Sequence, residues 1–406
     1  MTDALTDDCL QVIFSYLVCP VAIRTAASVC RRWSRVASER TVWRRLVFDQ
    51  RSLFEKYTRF LNSSAMRRWC QAVQDLAIVK WHEKRQHVHF HVLPIRVLSN
   101  LRRLETVNLC LHELAQLLDQ VQLEGLVCRR IEPWCMVRYL EWRLFASQTR
   151  LRHLELFVKD NGYNGFGSVY KGAEEDEGLE AWTAQLEVFS AVNIRVVPSN
   201  RNELTRTKYP LEHEIVLPSL TRVRRLQFGF CFWWSARTWR ERFLPLCQHG
   251  QLVHLTLHGW FHGGTEESKQ PHEIEAEHAM ASCFAALQGL QTLTLVDFLL
   301  CDGVRLGVRD MLPRVFTLRY SAEFGNSGFA ASSNPRLLLG EPFEALVDTL
   351  AQVKVPLDLR FHPSWFEDPE SLDGFHTYLD HMIPKSFRSL FNFVVQDDDR
   401  SSAFTE

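Results

Sequence analysis

The sequence has no CxxC pair, and the eleven cysteines among its 406 residues are odd in number and scattered. This pattern argues against a disulfide framework and a zinc ribbon, so we expect mostly buried thiols in a reducing compartment. The chain also lacks a run of about eighteen apolar residues, the length that a membrane-spanning helix needs. Acidic residues precede the first apolar stretch, where a signal peptide carries basic ones. These absences predict a cytoplasmic or nuclear protein.

Charge of one sign is not in excess, because the formal net charge is −1. Such a balance creates no field that would attract nucleic acid or an anionic membrane, and we expect neither as a partner. Hydrophobic residues make up 46% of the sequence and charged residues 23%, which argues against bulk disorder.

Motifs of catalytic sites are incomplete or absent. The stretch GYNGFGSVYKG (162–172) is similar to the glycine-rich loop of protein kinases, but Asn164 replaces the middle glycine. The sequence has no HRD, DFG or G-x-S-x-G motif, so we interpret this stretch as part of a long exposed loop, about 158–184. An enzyme remains an alternative that rests on this loop alone.

Histidine clusters offer one alternative metal site. His87, His89 and His91 would share one face of a strand, with His82 nearby, and three imidazoles could hold zinc. The histidines of HEIEAEH (272–278) are six residues apart rather than four, so they do not share a helical face. We expect no catalytic residue, no metal and no cofactor.

Three short helices are predicted in the first fifty residues. Thr6 is a candidate N-cap before two aspartates, and Pro20 suits the first position of a second helix. Apolar residues recur on a helical period: Leu10, Ile13, Phe14 and Leu17, then Ala26, Val29, Trp33 and Val36. So small a unit does not bury all of this apolar surface by itself, so part of it must face another domain or a partner.

The segment LTDDCLQVIFSYL…CPVAIRTAASVCRRWSRVASERTVWRRL, about residues 4–48, resembles the F-box motif in residue order and spacing. The family usually has proline where Thr6 stands. The resemblance implies a three-helix unit that docks on a Skp-type adaptor, which in turn hangs from a cullin scaffold with a RING subunit. It implies adaptor-facing or supporting roles for Leu5, Leu10, Ile13, Phe14, Leu17, Val29 and Trp33. We expect Phe14 and Trp33 to be the main anchors, because interfaces concentrate binding energy in buried aromatic residues. Alternatively, the helices merely cap the next domain.

A short pattern, apolar-x-x-apolar-x-apolar, recurs along the rest of the chain and predicts half-buried strands that follow helical stretches. The copies are LETVNL (104–109), LRHLEL (151–156), VRRLQF (223–228), LVHLTL (252–257), LQTLTL (290–295), VFTLRY (315–320) and the less regular VPLDLRF (355–361). LEGLVC (123–128) and LEVFSAVNIRVV (186–197) are further candidates. These strands resemble leucine-rich repeats, although their spacing is uneven and the family's asparagine is absent.

The predicted fold class is α/β: a three-helix F-box followed by an irregular, leucine-rich-repeat-like solenoid of short parallel strands and helices. The predicted segments are 4–48 for the F-box, 49–92 for a helical linker, 93–365 for the repeat domain and 366–406 for a C-terminal segment with an acidic, disordered tail. A generic α/β domain with a parallel sheet is the alternative for the repeats.

The densest aromatic stretch is FGFCFWWSARTWRERF (228–243). Trp233, Trp234 and Trp239 are candidates for a substrate-binding surface, because tryptophan is enriched at interface hot spots. The alternative is that they belong to the core.

Together these features predict a non-catalytic substrate-recognition subunit of a Skp–cullin–F-box ubiquitin ligase, with an unknown protein substrate. The alternative is an F-box and repeat scaffold for non-degradative assembly.

Overall fold

The computed structural model divides the chain into two compact units, Met1–Val158 with Ser402–Glu406, and Lys159–Ser401. The residues that the structure describes are 5–48, 67–78, 98–106, 109–132, 145–160, 182–195, 219–229, 235–259, 271–298, 300–321, 335–366 and 368–396.

The first unit begins with three short helices and continues as a parallel sheet. Its helices are α1 (Asp7–Ser15), α2 (Pro20–Ala27), α3 (Arg31–Ala37), the 3-10 turn Arg40–Trp43, α4 (Arg67–Cys70) and α5 (Leu111–Gln120). Its strands are β1 (Arg45–Phe48), β2 (Asp75–Ile78), β3 (Arg103–Thr106), β4 (Leu109–Cys110), β5 (Gly125–Glu132) and β6 (His153–Asp160). β1, β2, β3, β5 and β6 pair in that order, all parallel, and β4 also pairs with β5.

Local chemistry explains where the first helices begin. The Thr6 side chain accepts a hydrogen bond from the backbone N–H of Cys9 at 3.2 Å, which makes Thr6 the predicted N-cap of α1. Pro20 occupies the first turn of α2, where its missing N–H costs nothing.

The second unit repeats strand and helix along the chain. Its strands are β7 (Val188–Arg195), β8 (Arg225–Phe228), β9 (His254–His258), β10 (Thr292–Val296), β11 (Val315–Tyr320), β12 (Leu357–Phe361) and β13 (Phe391–Val395). Its helices are α6 (Ala236–Thr238), the π-helical turn Trp239–Phe243, α7 (Leu244–Gln248), α8 (Pro271–Ala286), α9 (Asp302–Met311), α10 (Pro335–Val353), α11 (Pro369–Met382) and the 3-10 turns Pro363–Trp365 and Arg388–Leu390. Strands β7 to β13 pair with their sequence neighbours in parallel.

In the second unit, alternating side chains give the strands one buried, apolar side and one side that is less buried. In β9, Leu255 and Leu257 are buried, whereas His254, Thr256 and His258 are half-buried. The parallel register places Leu255 beside Leu293 of β10, so equivalent leucines of successive strands form rows in the core. Each strand thus depends on its neighbours, as expected of stacked repeats.

Close helix packing in the second unit depends on glycine. A Cβ atom at Gly307 of α9 would lie 2.7 Å from the ring and Cβ of Phe284 in α8, so only glycine fits there. At Gly340 the requirement is one of backbone conformation, because its positive φ of 47° interrupts α10 and is readily adopted only by glycine.

These observations confirm the predicted α/β class and the strand pattern. Of the two further candidates, LEGLVC (123–128) overlaps β5, and LEVFSAVNIRVV (186–197) contains β7, although its last two residues lie outside the described residues. The segment boundaries need correction. Leu76 and Ala77, assigned to a helical linker, lie in β2, which pairs with β1 and β3. The helix α11 and the strand β13 extend the repeat pattern past residue 365.

Candidate functional site

Exposed apolar surface is concentrated in the first three helices. Among the described residues, eight large hydrophobic side chains are exposed, and six of them fall within residues 5–29. The six are Leu5, Val12, Ile13, Tyr16, Val21 and Val29; the other two are Ile274 and Leu312. Large apolar side chains clustered on a surface usually mark a site of interaction. We call these six residues the amino-terminal apolar surface.

Helix α1 is apolar on two sides, which explains the cluster. Leu10 and Phe14, four residues apart, are 1% and 2% exposed and form its inward side. Ile13 and Tyr16 point away from them and are 46% and 78% exposed. A helix that is apolar on two sides needs partners on both, and among the described residues the chain covers only one of them.

The predicted adaptor-binding residues divide into three groups. Leu5, Ile13 and Val29 are exposed, Leu17 and Trp33 are half-buried, and Leu10 and Phe14 are buried. The expectation that Phe14 is an anchor for a partner is therefore corrected. Its ring packs edge-on against Trp33 with the ring centroids 5.2 Å apart, inside the helical unit. Leu10 and Phe14 support the surface, and the exposed residues form it.

Sequence reasoning missed Val12, Tyr16 and Val21. The apolar period predicts a single stripe on α1, from Leu10 to Leu17. Val12 and Tyr16 belong to a second stripe at a spacing of four residues, which Ile13 flanks. The signal that identifies the outward side of α1 is therefore the presence of two apolar stripes on one short helix.

Exposed ion pairs join α1 to α3. Asp7 Oδ1 accepts a hydrogen bond from Arg32 Nε at 2.7 Å, and its Oδ2 accepts one from Arg35 Nη2 at 2.5 Å. These hydrogen bonds, the one from Arg32 first, hold the pKa of the Asp7 carboxyl below its ordinary value. Arg32 Nη2 also donates to the backbone carbonyl of Leu5, which positions that residue at the edge of the apolar surface.

The helices continue directly into the sheet of the first unit. Trp43 Nε1 donates to the carbonyl of Ala37 at 2.8 Å, and the Trp43 ring stacks on Trp69 with centroids 5.0 Å apart. The backbone N–H of Val47 in β1 donates to the carbonyl of Val18 at 2.9 Å. Such contacts orient the apolar surface relative to this sheet.

The predicted substrate-binding tryptophans do not form a surface that the structure describes. Trp239 is 2% exposed, and its ring packs edge-on against Phe243 and Phe284, with centroids 5.3 and 6.2 Å away. Its assignment to a binding surface is therefore corrected: it belongs to the core between helices. Trp233 and Trp234 lie outside the described residues.

Other predicted chemistry falls mostly outside the described residues, including the glycine-rich stretch 162–172 and the histidines His82, His87, His89 and His91. Within the part of the chain that is described, no group of three or more His, Cys, Asp or Glu side chains could hold a metal ion. His272 and His278 lie on α8. Over the same part of the chain, no helix has the length and hydropathy to cross a membrane.

Comparison with known proteins identifies the helical unit. Residues 7–49 match the family model described as F-box-like, which covers α1 to β1. No curated protein matches the chain significantly. Residues 7–49 therefore form an F-box-like domain, and the amino-terminal apolar surface lies almost entirely within it.

Proposed function

We propose that this protein, which carries an amino-terminal F-box-like domain, is the substrate-recognition subunit of a Skp–cullin–F-box ubiquitin ligase. F-box domains generally bind Skp-type adaptors, and in this proposal the adaptor connects the chain to a cullin and a RING subunit. The rest of the chain holds a protein substrate. The complex acts in the cytoplasm, the nucleus or both.

One observation carries the proposal: the exposed apolar side chains are concentrated in the domain that matches the family model. Tyr16 is 78% exposed, Val29 59% and Val12 58%, whereas the other apolar side chains that the structure describes are mostly buried. Burying apolar surface contributes about 25 cal/mol per Å², so a partner that covers these side chains would be bound favourably. Exposed aromatic residues such as Tyr16 are typical interface anchors.

In this mechanism the chain contributes proximity and no covalent chemistry. The F-box-like domain fixes one end of the chain to the ligase, and a second surface holds the substrate. Tethering then raises the effective concentration of substrate lysines near the transferring enzyme, and other subunits perform the catalysis.

A matched pair of variants tests adaptor docking. Ile13, in the F-box-like domain, is 46% exposed, and Ile274, on α8, is 45% exposed. We expect Ile13→Asp to abolish co-purification of the adaptor and the cullin from cells, because an aspartate in an apolar interface is desolvated without a partner. Ile274→Asp introduces the same charge at the same exposure and should co-purify both at wild-type levels.

The alternatives give different results. If the wild type binds neither adaptor nor cullin, or if Ile13→Asp binds both as well as Ile274→Asp does, the docking assignment is wrong. If adaptor and cullin co-purify but the assembled complex transfers no ubiquitin to any co-purifying partner, the chain is a non-degradative scaffold. Ubiquitin transfer that depends on Ile13 supports the ligase.

A further inference from the structure

The last strand of the second unit has an open edge. In the pairing order of the described strands, β13 stands at the end and pairs with β12 alone. The backbone N–H of Gln396 donates to the carbonyl of Phe361 in β12 at 3.0 Å. The backbone groups of successive residues alternate between the two sides of a strand, so Phe391, Phe393 and Val395 direct their N–H and C=O groups away from β12. Three residues therefore offer hydrogen-bond donors and acceptors at this edge.

The apolar core is incomplete at the same edge. The core side chains of β12 are at most 1% exposed; they are Leu357, Leu359 and Phe361. Their register partners in β13 are only half-buried; they are Phe391, Phe393 and Val395. The Phe393 ring packs on Phe375 and Phe361, with centroids 5.5 and 6.3 Å away, but its outer side is open. In a stack of repeats the next strand would cover this side.

The sequence of β13, FNFVV, has no feature that prevents edge pairing. It contains no charged residue and no proline, the residues by which natural proteins usually protect an edge strand. Its register with β12 is regular over the whole strand, without a bulge. At β1, by contrast, the backbone N–H of Val47 donates to the carbonyl of Val18 at 2.9 Å. A regular and apolar edge such as that of β13 is a template for a further strand.

We propose that β13 is a dimerisation strand, which pairs in antiparallel orientation with β13 of a second copy of this chain. Phe393 then lies opposite Phe393 of the partner subunit, and Phe391 lies opposite Val395 of the partner subunit. Each such pair exchanges two backbone hydrogen bonds, because its N–H and C=O groups face the open edge. Opposite residues of an antiparallel pair point to the same side of the sheet, so the two incomplete cores join. The contact is isologous, as in most homodimers.

The charges that flank β13 favour a second copy in this orientation. Residues 381–390, before the strand, carry a formal charge of +2 from Lys385 and Arg388. Residues 396–405, after it, carry a formal charge of −2, from three aspartates and one arginine. Asp380 offsets part of the positive charge, since its Oδ1 lies 3.7 Å from Arg388 Nη2. An antiparallel pair brings the sequence after one β13 toward the sequence before the other, so the opposite charges attract.

Sedimentation velocity of the full-length chain tests this proposal. The average mass should rise from monomer toward dimer between about 1 and 100 μM protein, because so short an interface predicts weak association. Added salt should weaken the dimer, since it screens the flanking charges. Hydrogen exchange at the two concentrations should show added protection in peptides that contain β13 and none in peptides from β9 or β10.

Two variants of Val395 change the open edge. Val395→Pro removes an N–H on the open side, where an edge strand tolerates proline. The dimer Kd should rise about tenfold or more, because symmetry removes the hydrogen bond twice. Val395→Lys should weaken the dimer as well, since it places a charge among apolar side chains. The matched control is Ile274→Lys on α8, where Ile274 is 45% exposed, and it should change the Kd by less than about twofold. Thermal unfolding of each variant verifies that the fold is intact.

A chain that ends after Gln396 separates a second copy from the chain's own carboxyl terminus as the occupant of the edge. It lacks the three aspartates, so its dimer should be weaker by about threefold or more. A wild type that stays monomeric overturns the proposal; if the shortened chain then dimerises, the last residues occupy the edge instead. A shortened chain that dimerises as tightly as the wild type overturns the antiparallel orientation, and equal dimerisation of Val395→Pro and Ile274→Lys overturns the role of β13. These measurements need no adaptor, so the inference goes beyond the proposed function and does not depend on it.

Discussion

Replacing Phe14 with alanine should unfold the F-box-like domain locally, because the Phe14 ring is buried between the helices of this domain. Phe14 is 2% exposed and packs edge-on against Trp33, with ring centroids 5.2 Å apart. Truncating a buried phenylalanine to alanine destabilises a protein by about 3–5 kcal/mol, because the burial of apolar surface is lost and a cavity is left behind. Three short helices have little stability to spare, so we expect this loss to open α1 and α3 while the second unit stays folded.

Hydrogen exchange measured by mass spectrometry checks this expectation segment by segment. Peptides from α1 and α3 should lose most of their protection in Phe14→Ala, and peptides from β9 to β11 should keep theirs. Tyr16→Ala is the contrast, because Tyr16 is 78% exposed and its truncation should change stability by less than about 0.5 kcal/mol. Adaptor affinity should fall in both variants, by about 2 kcal/mol or more for Tyr16→Ala if it is an anchor.

The reasoning is refuted if Phe14→Ala keeps wild-type protection in α1 and α3 but loses adaptor binding. That result would make Phe14 a direct contact, as its aromatic character indicates, and would require Phe14 to turn outward when a partner arrives. If Tyr16→Ala also loses protection in α1 and α3, Tyr16 stabilises the fold, and the division into supporting and exposed residues is wrong.

Two further predictions concern polar groups of the first unit. Gln148→Ala should lower the free energy of unfolding by about 2–4 kcal/mol, because the buried Gln148 amide donates hydrogen bonds to the carbonyls of Leu118 and Val121 at 2.7 and 3.0 Å. Gln122 is exposed, and Gln122→Ala, which loses one hydrogen bond, should lower the free energy of unfolding by less than about 1 kcal/mol. Urea titration of both variants measures the two losses, and equal losses would contradict this account. Folding lowers the pKa of Asp7, so the ionised Asp7 carboxylate stabilises the folded state. This stabilisation is fully present above the ordinary pKa of 3.8 and is lost as the pH falls through the pKa of the folded state. The stability difference between wild type and Asp7→Asn should therefore shrink on acidification, and a difference that stays constant into strong acid would contradict the assigned ion pairs.

Strands were the part of the fold that the sequence predicted best. In VFTLRY, Phe316, Leu318 and Tyr320 alternate with half-buried residues, and the strand β11 has the predicted bounds. This pattern is local, because successive side chains of any strand point to opposite faces. Two short strands were missed: RLVF (45–48) and DLAI (75–78) each carry three consecutive apolar residues instead of an alternating pattern, and they were assigned to helical segments.

Predictions of which aromatic residues are exposed failed for a different reason. Trp239 and Tyr16 both follow helical spacing in sequence, yet Trp239 is 2% exposed and Tyr16 is 78% exposed. Trp239 is covered by Phe284, which lies on another helix of the second unit. No local pattern carries that information, since burial depends on what a distant segment places against the residue.

The sequence by itself determined the class of this protein: three short helices of F-box type, then strands of period two between helices, with no complete catalytic motif. Those features follow from local sterics, capping and side-chain periodicity, which act within a few residues. Only the tertiary structure decided that Phe14 is buried while Tyr16 is exposed, and that Trp239 packs against Phe284. Both depend on which residues far apart in sequence meet, and packing and strand register determine that.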